Sequence, residues 1–496
     1  MDIIIGVDIG TSATKAVAFH SEGHVLAHEQ VDYELMTPQP GWFEQDPAVL
    51  FDAVVNAIAQ LVVKVKGNGG RGEHIAIGFS SAMHGLIAMD AHDQPLTNCI
   101  IWADTRSASF AAELKRTDKG LDNYLKTGTP IHAMSPLCKL CWLQTEMPAI
   151  FEAARKFISI KEYVFYRLFG RYVVDESIAS ATGLFDIHAF QWYRPALELA
   201  GIDATQLSEP VPITHTLSGL PAQLASEMGI PEDTPFVVGG SDGCLANLGA
   251  GAVHPGVAAV TIGTSGAIRM VAQTPQTDKK ARTFCYVLTK RLFVVGGAVN
   301  SGGMVFRWYR DTFGGEGQAG SGGYQQLIAE ASTVATGADG LLFLPYLAGE
   351  RAPYWNANAK GLFFGVQLHH TKAHFTRAVL EGIVYGLYSV GTALEELASP
   401  IKVIHANGGF ARAPFWVQLL ADVFNKRVVV SEEGVQDAAK GACMVVLKAL
   451  GKTSGFDMVG NQSANAVYEP DTHAHRRYME SFELFGRLYE RLKDEF

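Results

Sequence analysis

The sequence predicts an α/β protein with two related domains, and three observations support this fold class. Apolar runs typical of strands alternate with segments of helical periodicity through much of the chain. At 496 residues the chain exceeds the ~250–300 residues at which single hydrophobic cores stop growing. The tetrapeptide IGTS occurs twice, at residues 9–12 and 262–265, each time after an apolar run and before a basic residue.

The expected domain boundary follows from the length and the repeat together. Length alone is compatible with two large domains or three smaller ones. Because the two IGTS turns lie about half a chain length apart, the repeat favours two domains. We therefore expect an N-terminal domain over residues 1–248 and a C-terminal domain over residues 249–496.

The individual elements can be predicted in order along the chain. The runs DIIIGVDIG, KAVAFH and VLAHEQVDYEL are separated by Gly and Ser turns, which predicts a meander of three strands. A helix follows in DPAVLFDAVVNAIAQLVVKV, with Asp46 as the expected N-cap and Pro47 as the first helical residue. Buried strands are then predicted for HIAIGFSS and TPFVVGGSDG. The second half repeats the plan with GVAAVTIGTS, AIRMVA, RTFCYVL and RLFVVGGAV.

Composition limits the classes of partner. Apolar residues make up 48% of the chain and charged residues 18%, which is typical of a globular protein. The formal net charge of -10 argues against a non-specific nucleic-acid surface, since phosphate binding needs clustered Lys and Arg. The N-terminus has no basic residue and is interpreted as a strand, not a signal peptide. We expect a cytoplasmic protein that binds small molecules, without nucleic-acid or membrane partners.

The first IGTS turn is a candidate phosphate site. Asp8 stands at the end of an apolar strand and is followed by Gly10, Thr11, Ser12 and Lys15. A turn of small residues presents backbone N–H groups and hydroxyls to an anion, and an aspartate at a strand end can hold hydrated Mg²⁺. The P-loop pattern GxxxxGK[ST] is absent from the sequence. Taken alone, DIGTS is equally compatible with an ordinary hairpin turn.

The second IGTS turn makes the phosphate interpretation stronger. Gly263 and Thr264 follow an apolar strand in the same way, but Thr261 stands where the first copy has Asp8. This duplication resembles the superfold of sugar kinases, actin and heat-shock ATPases. That resemblance implies two related ribonuclease H-like domains that clamp a nucleotide in an interdomain cleft.

Two longer motifs narrow the resemblance to one family. MSPLCKLCWLQTE, residues 134–146, fits the first signature of the FGGY carbohydrate kinases, with Lys139 and Trp142 at fixed positions. GLFFGVQLHHTKAHFTRAVLE, residues 361–381, fits the second signature. The chain is therefore similar to FGGY kinases from its first strand to about Leu450, although Asp437 and Lys440 depart from the usual pattern of the family.

The resemblance implies an activity. The segments SSAMHG, TGTPIHAMSP, GSDGCLANLG and PYLAGERAPYWN are most similar to those of the gluconate kinases in the family. This implies ATP- and Mg²⁺-dependent phosphorylation of D-gluconate to 6-phospho-D-gluconate, and a possible homodimer. The alternatives are a xylulose kinase or another pentulose kinase, and, from a different class, a filament or chaperone ATPase of the same superfold.

The resemblance also implies roles for individual residues. Asp242, at the end of the predicted strand TPFVVGGSDG, would be the catalytic base, whereas its structural alternative is a turn-capping residue. Asp8 would position metal and phosphate, and Thr11 and Lys15 would face the transferring phosphate. Substrate contacts are expected from Met83, His84, Trp102, Arg106, His132, Met134 and Asp242. Nucleotide contacts are expected from Asn300, Gly302, Gly303, Gly408, Gly409 and Phe410.

Two of these side-chain types have a physical reason for contacting a sugar acid. Trp102 offers an apolar face and one N–H to a polyol. If the substrate is an aldonic acid, a cation must neutralise its carboxylate, and a guanidinium can do so with two hydrogen bonds. Arg106, His84 and His132 are the candidates for this cation, and the sequence does not rank them.

Overall fold

The computed structural model describes residues 2–67, 74–314, 321–431, 437–456 and 464–496. The elements up to residue 249 are β1 (Asp2–Ile9), β2 (Ala13–His20), β3 (Val25–Asp32), β4 (Glu44–Gln45), α1 (Pro47–Gly67), β5 (His74–Ser81), β6 (Ile87–Met89), β7 (Cys99–Ile100), α2 (Ala108–Lys115), α3 (Asp118–Thr127), α4 (Pro136–Glu146), α5 (Pro148–Ala153), β8 (Lys156–Ile158), α6 (Ile160–Phe169), β9 (Val173–Asp175), α7 (Glu176–Ser180), β10 (Phe185–Asp186), β11 (Gln191–Trp192), α8 (Arg194–Ala200), β12 (Glu209–Val211), β13 (Thr216–Leu217), α9 (Ala222–Met228), β14 (Phe236–Ser241) and α10 (Asp242–Gly249).

The remaining elements are β15 (Val257–Ile262), β16 (Gly266–Ala272), β17 (Phe284–Thr289), β18 (Leu292–Val299), α11 (Gly303–Phe313), α12 (Ser321–Ser332), β19 (Leu342–Leu344), β20 (Leu362–Phe364), α13 (Lys372–Leu397), β21 (Val403–Asn407), α14 (Pro414–Phe424), β22 (Arg427–Ser431), α15 (Asp437–Ala449), β23 (Ala464–Tyr468) and α16 (Thr472–Leu492).

The chain forms two compact units. Unit 1 comprises Met1–Val253, Ala272–Val294 and Gln436–Asn461. Unit 2 comprises His254–Val271, Val295–Val435 and Gln462–Phe496. The domain boundary expected between residues 248 and 249 stays a prediction. It lies close to the end of the first segment of unit 1, and two later segments return to that unit.

Unit 1 is built on a six-stranded sheet with the order β13-β14-β5-β1-β2-β3. Strands β1, β2 and β3 form the predicted antiparallel meander. Strands β1, β5 and β14 run parallel to one another. Parallel strands need crossover connections, and helices supply them along this part of the chain.

Helix α1 covers one face of this sheet. The Asp46 carboxylate accepts the backbone N–H of Ala48 at 2.8 Å, and Pro47 is the first helical residue, as predicted. Eleven of its 21 residues are buried, and nine of these share one apolar core with the inward-facing residues of β1. Among the described residues, α1 is the one helix long and apolar enough to cross a membrane. Its packing in the core of unit 1 accounts for that composition.

Helix α15 returns to unit 1 and packs closely against β1 and α10. A methyl group at Gly6 would overlap the carbonyl of Ala439, and one at Gly441 would overlap the carbonyl of Leu245. Glycine is therefore required at both positions for the backbones to approach. Lys440, which departs from the family pattern, is buried in this helix.

Unit 2 repeats the strand order of unit 1. Strand β15 pairs with β16 antiparallel and with β21 parallel, and β21 pairs with β22 parallel. The order β18-β16-β15-β21-β22 therefore corresponds to β3-β2-β1-β5-β14 in unit 1. In both units a glycine turn joins the first two strands. The predicted α/β fold with two related domains is confirmed.

Candidate active site

The carboxyl ends of the three parallel strands in unit 1 bring the predicted acids to one edge of the sheet. In the register, Ile9 lies beside Ser81, and Ser81 lies beside Ser241. Asp8 and Asp242 are therefore two strands apart, about 10 Å in strand spacing. Open α/β sheets bind ligands at this edge.

Asp8 lies between a hydroxyl and a cation. The Ser80 hydroxyl donates to Asp8 Oδ1 at 2.7 Å, and Lys15 is the register partner of Asp8 on β2. Burial raises the pKa of the Asp8 carboxyl, and the Ser80 hydrogen bond and the Lys15 charge oppose that rise. A buried carboxylate of this kind is stabilised when a cation binds beside it.

The Asp8 site fits a magnesium ion that is bound mainly through phosphate. Within the described ranges, no three His, Cys, Asp or Glu side chains are grouped as a metal site. Mg²⁺ typically takes one or two protein carboxylates and completes its shell with water and substrate phosphate oxygens. Asp8 supplies one such carboxylate, and the Ser80 hydroxyl lies beside it.

The turn between β1 and β2, residues 9–13, is called hairpin 1. The Gly10 N–H closes the turn by donating to the Ala13 carbonyl at 3.0 Å. Tyr33 holds it from the side, because its hydroxyl donates to the Gly10 carbonyl at 2.6 Å and its backbone N–H donates to the Ser12 carbonyl at 3.1 Å. Tyr33 lies outside the turn, and no sequence pattern indicated it.

Thr11 is held at two acceptor atoms. Gln45 Nε2 donates to the Thr11 carbonyl at 2.7 Å, and Trp102 Nε1 donates to Thr11 Oγ1 at 2.9 Å. In the described part of the chain, the backbone N–H groups of Thr11 and Ser12 make no hydrogen bond to protein. Hairpin 1 therefore has its acceptors satisfied from within unit 1 and presents donors outward, which suits an anion.

Asp242 begins α10 directly after β14. Ser241 caps the helix by accepting the N–H of Cys244, and Asp242 Oδ1 accepts the N–H of Gly243 at 2.6 Å. A carboxylate in the first turn is stabilised by the partial positive charge of the helix N-terminus. The strand bends just before it, at Gly239 with φ of 68°, where a methyl group would overlap the Phe79 carbonyl.

The strand end that carries Asp242 is anchored by a buried lysine. Lys161 Nζ donates to the Gly240 carbonyl at 2.9 Å and pairs with Asp175 at 2.5 Å. Burial lowers the pKa of Lys161, and the nearby charges of Asp175 and Asp242 act in the opposite direction. The sequence did not indicate Lys161, since its partners lie on distant segments.

Met83 and His84 follow β5 at the same edge as Asp8. His84 has φ of 67° and is buried, while Met83 is partly exposed. The His84 ring contacts the Ala181 carbonyl through Nδ1 at 2.8 Å and the Tyr286 hydroxyl through Nε2 at 3.4 Å. Both ring nitrogens therefore have protein partners, and Tyr286 is a contact that the sequence did not reveal.

Lys139 joins the loops that carry His84 and Trp102. Its fully buried ammonium group donates to the carbonyls of His84 at 2.6 Å, Ile101 at 2.8 Å and Ile100 at 3.0 Å. Burial lowers the pKa of Lys139 to about 7. The family signature singles out this lysine, and the structure gives it the role of a cross-link beneath the site.

Arg106 lies in a buried network of ion pairs. Its side chain is 3% exposed, pairs with Glu44 at 2.7 Å and Asp104 at 2.8 Å, and lies 3.8 Å above the Trp42 ring. Two carboxylates already neutralise this cation. These ion pairs tie the Asp104 loop to β4, and the pairing of Arg106 with a substrate carboxylate stays a prediction.

The other predicted sugar contacts are only partly available. Trp102 directs its indole N–H to Thr11, and its contact with a sugar stays a prediction. His132 is partly exposed, and its Nδ1 accepts the backbone N–H of Met134 at 3.2 Å. Met134 itself is 3% exposed, so its side chain packs inside unit 1.

The turn between β15 and β16, residues 262–266, is called hairpin 2. The Gly263 N–H donates to the Ser265 carbonyl at 2.9 Å, and Gly263 and Thr264 are exposed. Their carbonyls accept the N–H groups of Gly303 at 2.8 Å and Met304 at 2.9 Å, at the start of α11. As in hairpin 1, the carbonyls are satisfied within the unit.

The loop before α11 contains three of the predicted nucleotide contacts. A methyl group at Gly302 would lie 2.5 Å from the Ser265 carbonyl carbon, and one at Gly303 would lie 2.6 Å from the Gly263 carbonyl oxygen. These glycines thus let the loop pack directly on hairpin 2. Asn300 is the third contact, and it lies just before them.

Glu350 holds Asn300 and its neighbour in place. Its carboxylate accepts the Asn300 N–H at 2.6 Å and the Ser301 hydroxyl at 2.7 Å, and Arg351 Nε donates to Asn300 Oδ1 at 2.8 Å. Burial raises the pKa of Glu350 to about 7. Glu350 lies within the segment PYLAGERAPYWN, but no sequence pattern singled it out.

The last predicted nucleotide segment follows β21. Gly408 has φ of 95°, and a methyl group there would lie 2.5 Å from the Ile262 carbonyl oxygen. Gly409 is exposed. Phe410 is 3% exposed and packs edge-on against Trp416, with ring centroids 5.8 Å apart. The Phe410 ring therefore packs in the core, while the backbone of the two glycines is accessible, and the nucleotide contacts of this segment stay predictions.

Comparisons with known proteins agree with this arrangement. Models of the N-terminal and C-terminal domains of the FGGY family of carbohydrate kinases match residues 3–249 and 258–450. The chain is 45% identical to a gluconokinase of Bacillus licheniformis, covering 99% of this chain and 96% of that protein. It is 30% identical to a xylulose kinase of Staphylococcus epidermidis, covering 99% and 97%.

Solved structures give the same family. A xylulose kinase from Lactobacillus acidophilus has a TM-score of 0.94 and 36% identity, covering 99% of each chain. A gluconate kinase from the same species has a TM-score of 0.93 and 35% identity, covering 99% of this chain and 98% of that one. The chain therefore belongs to the FGGY family of carbohydrate kinases, as the sequence motifs predicted.

Proposed function

We propose that this kinase transfers the γ-phosphoryl group of ATP to a hydroxyl of D-gluconate, which gives 6-phospho-D-gluconate and ADP. The observation that carries the choice of sugar is the full-length identity. The chain is 45% and 44% identical to gluconokinases of two Bacillus species, against 30% to the xylulose kinase of Staphylococcus epidermidis. An ATP-driven filament or chaperone is set aside by membership of a carbohydrate kinase family.

Asp242 is proposed as the general base. Its carboxylate lies at the carboxyl edge of the unit 1 sheet, where a sugar hydroxyl can approach, and the helix N-terminus places partial positive charge beside it. As the phosphoryl group moves to the hydroxyl oxygen, that oxygen must lose its proton, and the Asp242 carboxylate accepts it. The bond between the γ-phosphorus and its bridging oxygen breaks as the new P–O bond forms.

Hairpin 1 is proposed to hold the transferring phosphate. Its outward N–H groups at Thr11 and Ser12 are donors in a place where the neighbouring carbonyls are already satisfied. Lys15 adds positive charge beside Asp8. A bound Mg²⁺ would spread the negative charge of the phosphates, and Asp8 with Ser80 would hold it.

The nucleotide contacts are proposed for unit 2. Hairpin 2 presents Gly263 and Thr264, and the loop with Asn300, Gly302 and Gly303 packs on it. Gly408 and Gly409 offer an accessible backbone after β21, as a ribose or adenine ring requires for close approach.

Xylulose is the second candidate substrate. The xylulose kinase of Lactobacillus acidophilus is as similar in structure as the gluconate kinase of that species, so the fold does not separate the two sugars. Of the three predicted cations for a gluconate carboxylate, Arg106 is neutralised by two acids and both nitrogens of His84 contact protein. The His132 ring also has a protein partner, since its Nδ1 accepts the Met134 N–H at 3.2 Å, so the three predicted cations remain unranked.

The wider setting is also part of the proposal. The net charge of -10 supports a small-molecule enzyme without nucleic-acid partners. Assembly as a homodimer, the lack of a membrane partner and a cytoplasmic location are proposed together with this activity.

The proposed function is tested by ADP release measured with D-gluconate, D-xylulose, D-ribulose, glycerol and no sugar. We expect turnover with gluconate, a requirement for Mg²⁺, and little turnover with the other sugars. Xylulose-dependent turnover without gluconate turnover would replace the substrate, and sugar-independent turnover would overturn the kinase activity. The Asp242→Asn variant serves as the control for residual background hydrolysis.

A further inference from the structure

The hydrogen bond between Trp102 and Thr11 links the predicted sugar-binding segment to hairpin 1. We infer that Trp102 is a positioning residue for phosphoryl transfer, which fixes the direction of the Thr11 hydroxyl proton. This inference rests on the proposed function, because it assigns hairpin 1 to the transferring phosphate. It gives Trp102 a second role, beyond packing against a sugar.

The chemistry of the two groups fixes the direction of the bond. An indole N–H can only donate, whereas a threonine hydroxyl has one proton and two acceptor lone pairs. At 2.9 Å, Trp102 Nε1 therefore donates to Thr11 Oγ1, and the hydroxyl proton cannot point back at the indole. That proton is left to donate on the outward side of hairpin 1, where the backbone N–H groups of Thr11 and Ser12 also point away from protein acceptors.

The backbone of Thr11 is fixed separately from its side chain. Gln45, which is 3% exposed, donates its amide to the Thr11 carbonyl at 2.7 Å. With the main chain held by Gln45 and the side-chain oxygen held by Trp102, the Thr11 hydroxyl has little freedom to rotate. A donor that is already oriented needs no reorganisation when charge develops on the phosphate.

The two holding residues belong to one rigid frame within unit 1. Asp104 accepts the Phe43 N–H at 2.7 Å, and Arg106 pairs with both Asp104 and Glu44. These contacts fasten the segment after Trp102 to the strand that carries Gln45. The buried ion pairs of Arg106 therefore explain how Trp102 and Gln45 keep their positions relative to Thr11.

A kinetic double-mutant cycle tests the inference. Trp102→Phe keeps an aromatic face and removes the N–H, and Thr11→Val removes the hydroxyl with little change in shape. A hydrogen bond to a charged group is worth about 1.5–3 kcal/mol, so Thr11→Val should lower kcat about 10- to 100-fold. We expect Trp102→Phe to lower kcat about 5- to 10-fold by weakening that bond, with the KM for sugar changed less than twofold.

The decisive result is the behaviour of the double variant. If Trp102 acts through Thr11, Trp102→Phe should have no further effect on kcat in the Thr11→Val background. It should keep its full effect in the Thr11→Ser background, where the hydroxyl remains. Losses that multiply in the Thr11→Val background, or a Trp102→Phe effect confined to the KM for sugar, would overturn the inference.

Two further choices keep the test independent of folding and of the sugar assignment. Replacement of Trp102 by 3-benzothienylalanine keeps the bicyclic ring and removes only the N–H, and it should reproduce the kcat loss of Trp102→Phe. Unchanged kcat in this protein would count against the inference even if Trp102→Phe folds poorly. The cycle is run with whichever sugar stimulates ADP release, so a wrong sugar assignment does not affect it, and absence of any sugar-stimulated turnover contradicts the proposed function instead.

Discussion

Replacement of the buried Lys139 by methionine should destabilise unit 1 substantially. Lys139→Met keeps most of the aliphatic stem and removes the ammonium group, whose three hydrogen bonds end on the carbonyls of His84, Ile100 and Ile101. All three hydrogen bonds are buried, so water does not replace the lost donors.

The size of the effect follows from the number of lost hydrogen bonds. The Ile100 carbonyl still accepts the Leu86 N–H at 3.1 Å and the Ile101 carbonyl still accepts the Asp104 N–H at 3.2 Å. Each of the three lost hydrogen bonds costs about 1 kcal/mol net, so together they cost about 3 kcal/mol. That loss is on the order of a 100-fold change in the unfolding equilibrium. Since domains are stable by only about 5–15 kcal/mol, it is a large fraction of the total.

Urea unfolding followed by tryptophan fluorescence measures this loss, because Trp42, Trp102 and Trp142 all lie in unit 1. Lys119→Met is the matched control, since Lys119 is exposed in the same unit. Hydrogen exchange of peptides that contain residues 99–104 should also accelerate in Lys139→Met. A variant as stable as the Lys119→Met control would refute the role of Lys139 as a cross-link.

Three further predictions concern the acids and the close-packed loop. Asp242→Asn should lower kcat by ~10²–10⁴ in the ADP-release assay while ATP binding, measured by calorimetry, is retained; near-normal turnover would remove Asp242 from its role. Burial raises the pKa of Glu350 to about 7. The stability that the protonated carboxyl contributes to the folded wild type is therefore lost as the pH rises through 7. Relative to wild type, Glu350→Gln should therefore gain about 3 kcal/mol in urea unfolding between pH 5 and pH 8, and a pH-independent difference would contradict this. Gly302→Ala should raise the KM for ATP several-fold because the new methyl group meets Ser265, whereas the control Gly486→Ala, in open space on α16, should not.

Much of the fold could be predicted because its signals are local. The meander β1 to β3, helix α1 with its Asp46 cap, and the glycine turns of both hairpins are encoded in short stretches of apolar periodicity and turn residues. The relation between the units could be predicted for the same reason, since the IGTS turn repeats in sequence. The return of α15 to unit 1 could not be predicted, because no pattern within residues 437–449 indicates which sheet the helix covers.

The site was harder to predict because its geometry depends on contacts between distant segments. The ion pair between Arg106 and Glu44 could not be predicted, because the two residues are 62 positions apart in the sequence. Phe410 follows two glycines in a typical nucleotide-binding pattern, yet its ring packs against Trp416. Tyr33 and Tyr286 are ordinary aromatic residues in sequence, and only the fold brings them to hairpin 1 and His84.

The central claim, that this kinase acts on gluconate, is tested most directly by competition. D-gluconate and D-xylulose at equal concentration are incubated with limiting ATP, Mg²⁺ and the enzyme, and the phosphorylated products are quantified by mass spectrometry. We expect 6-phospho-D-gluconate to be the dominant product. A predominance of xylulose phosphate, or ATP consumed without any sugar phosphate, would contradict the assignment of gluconate.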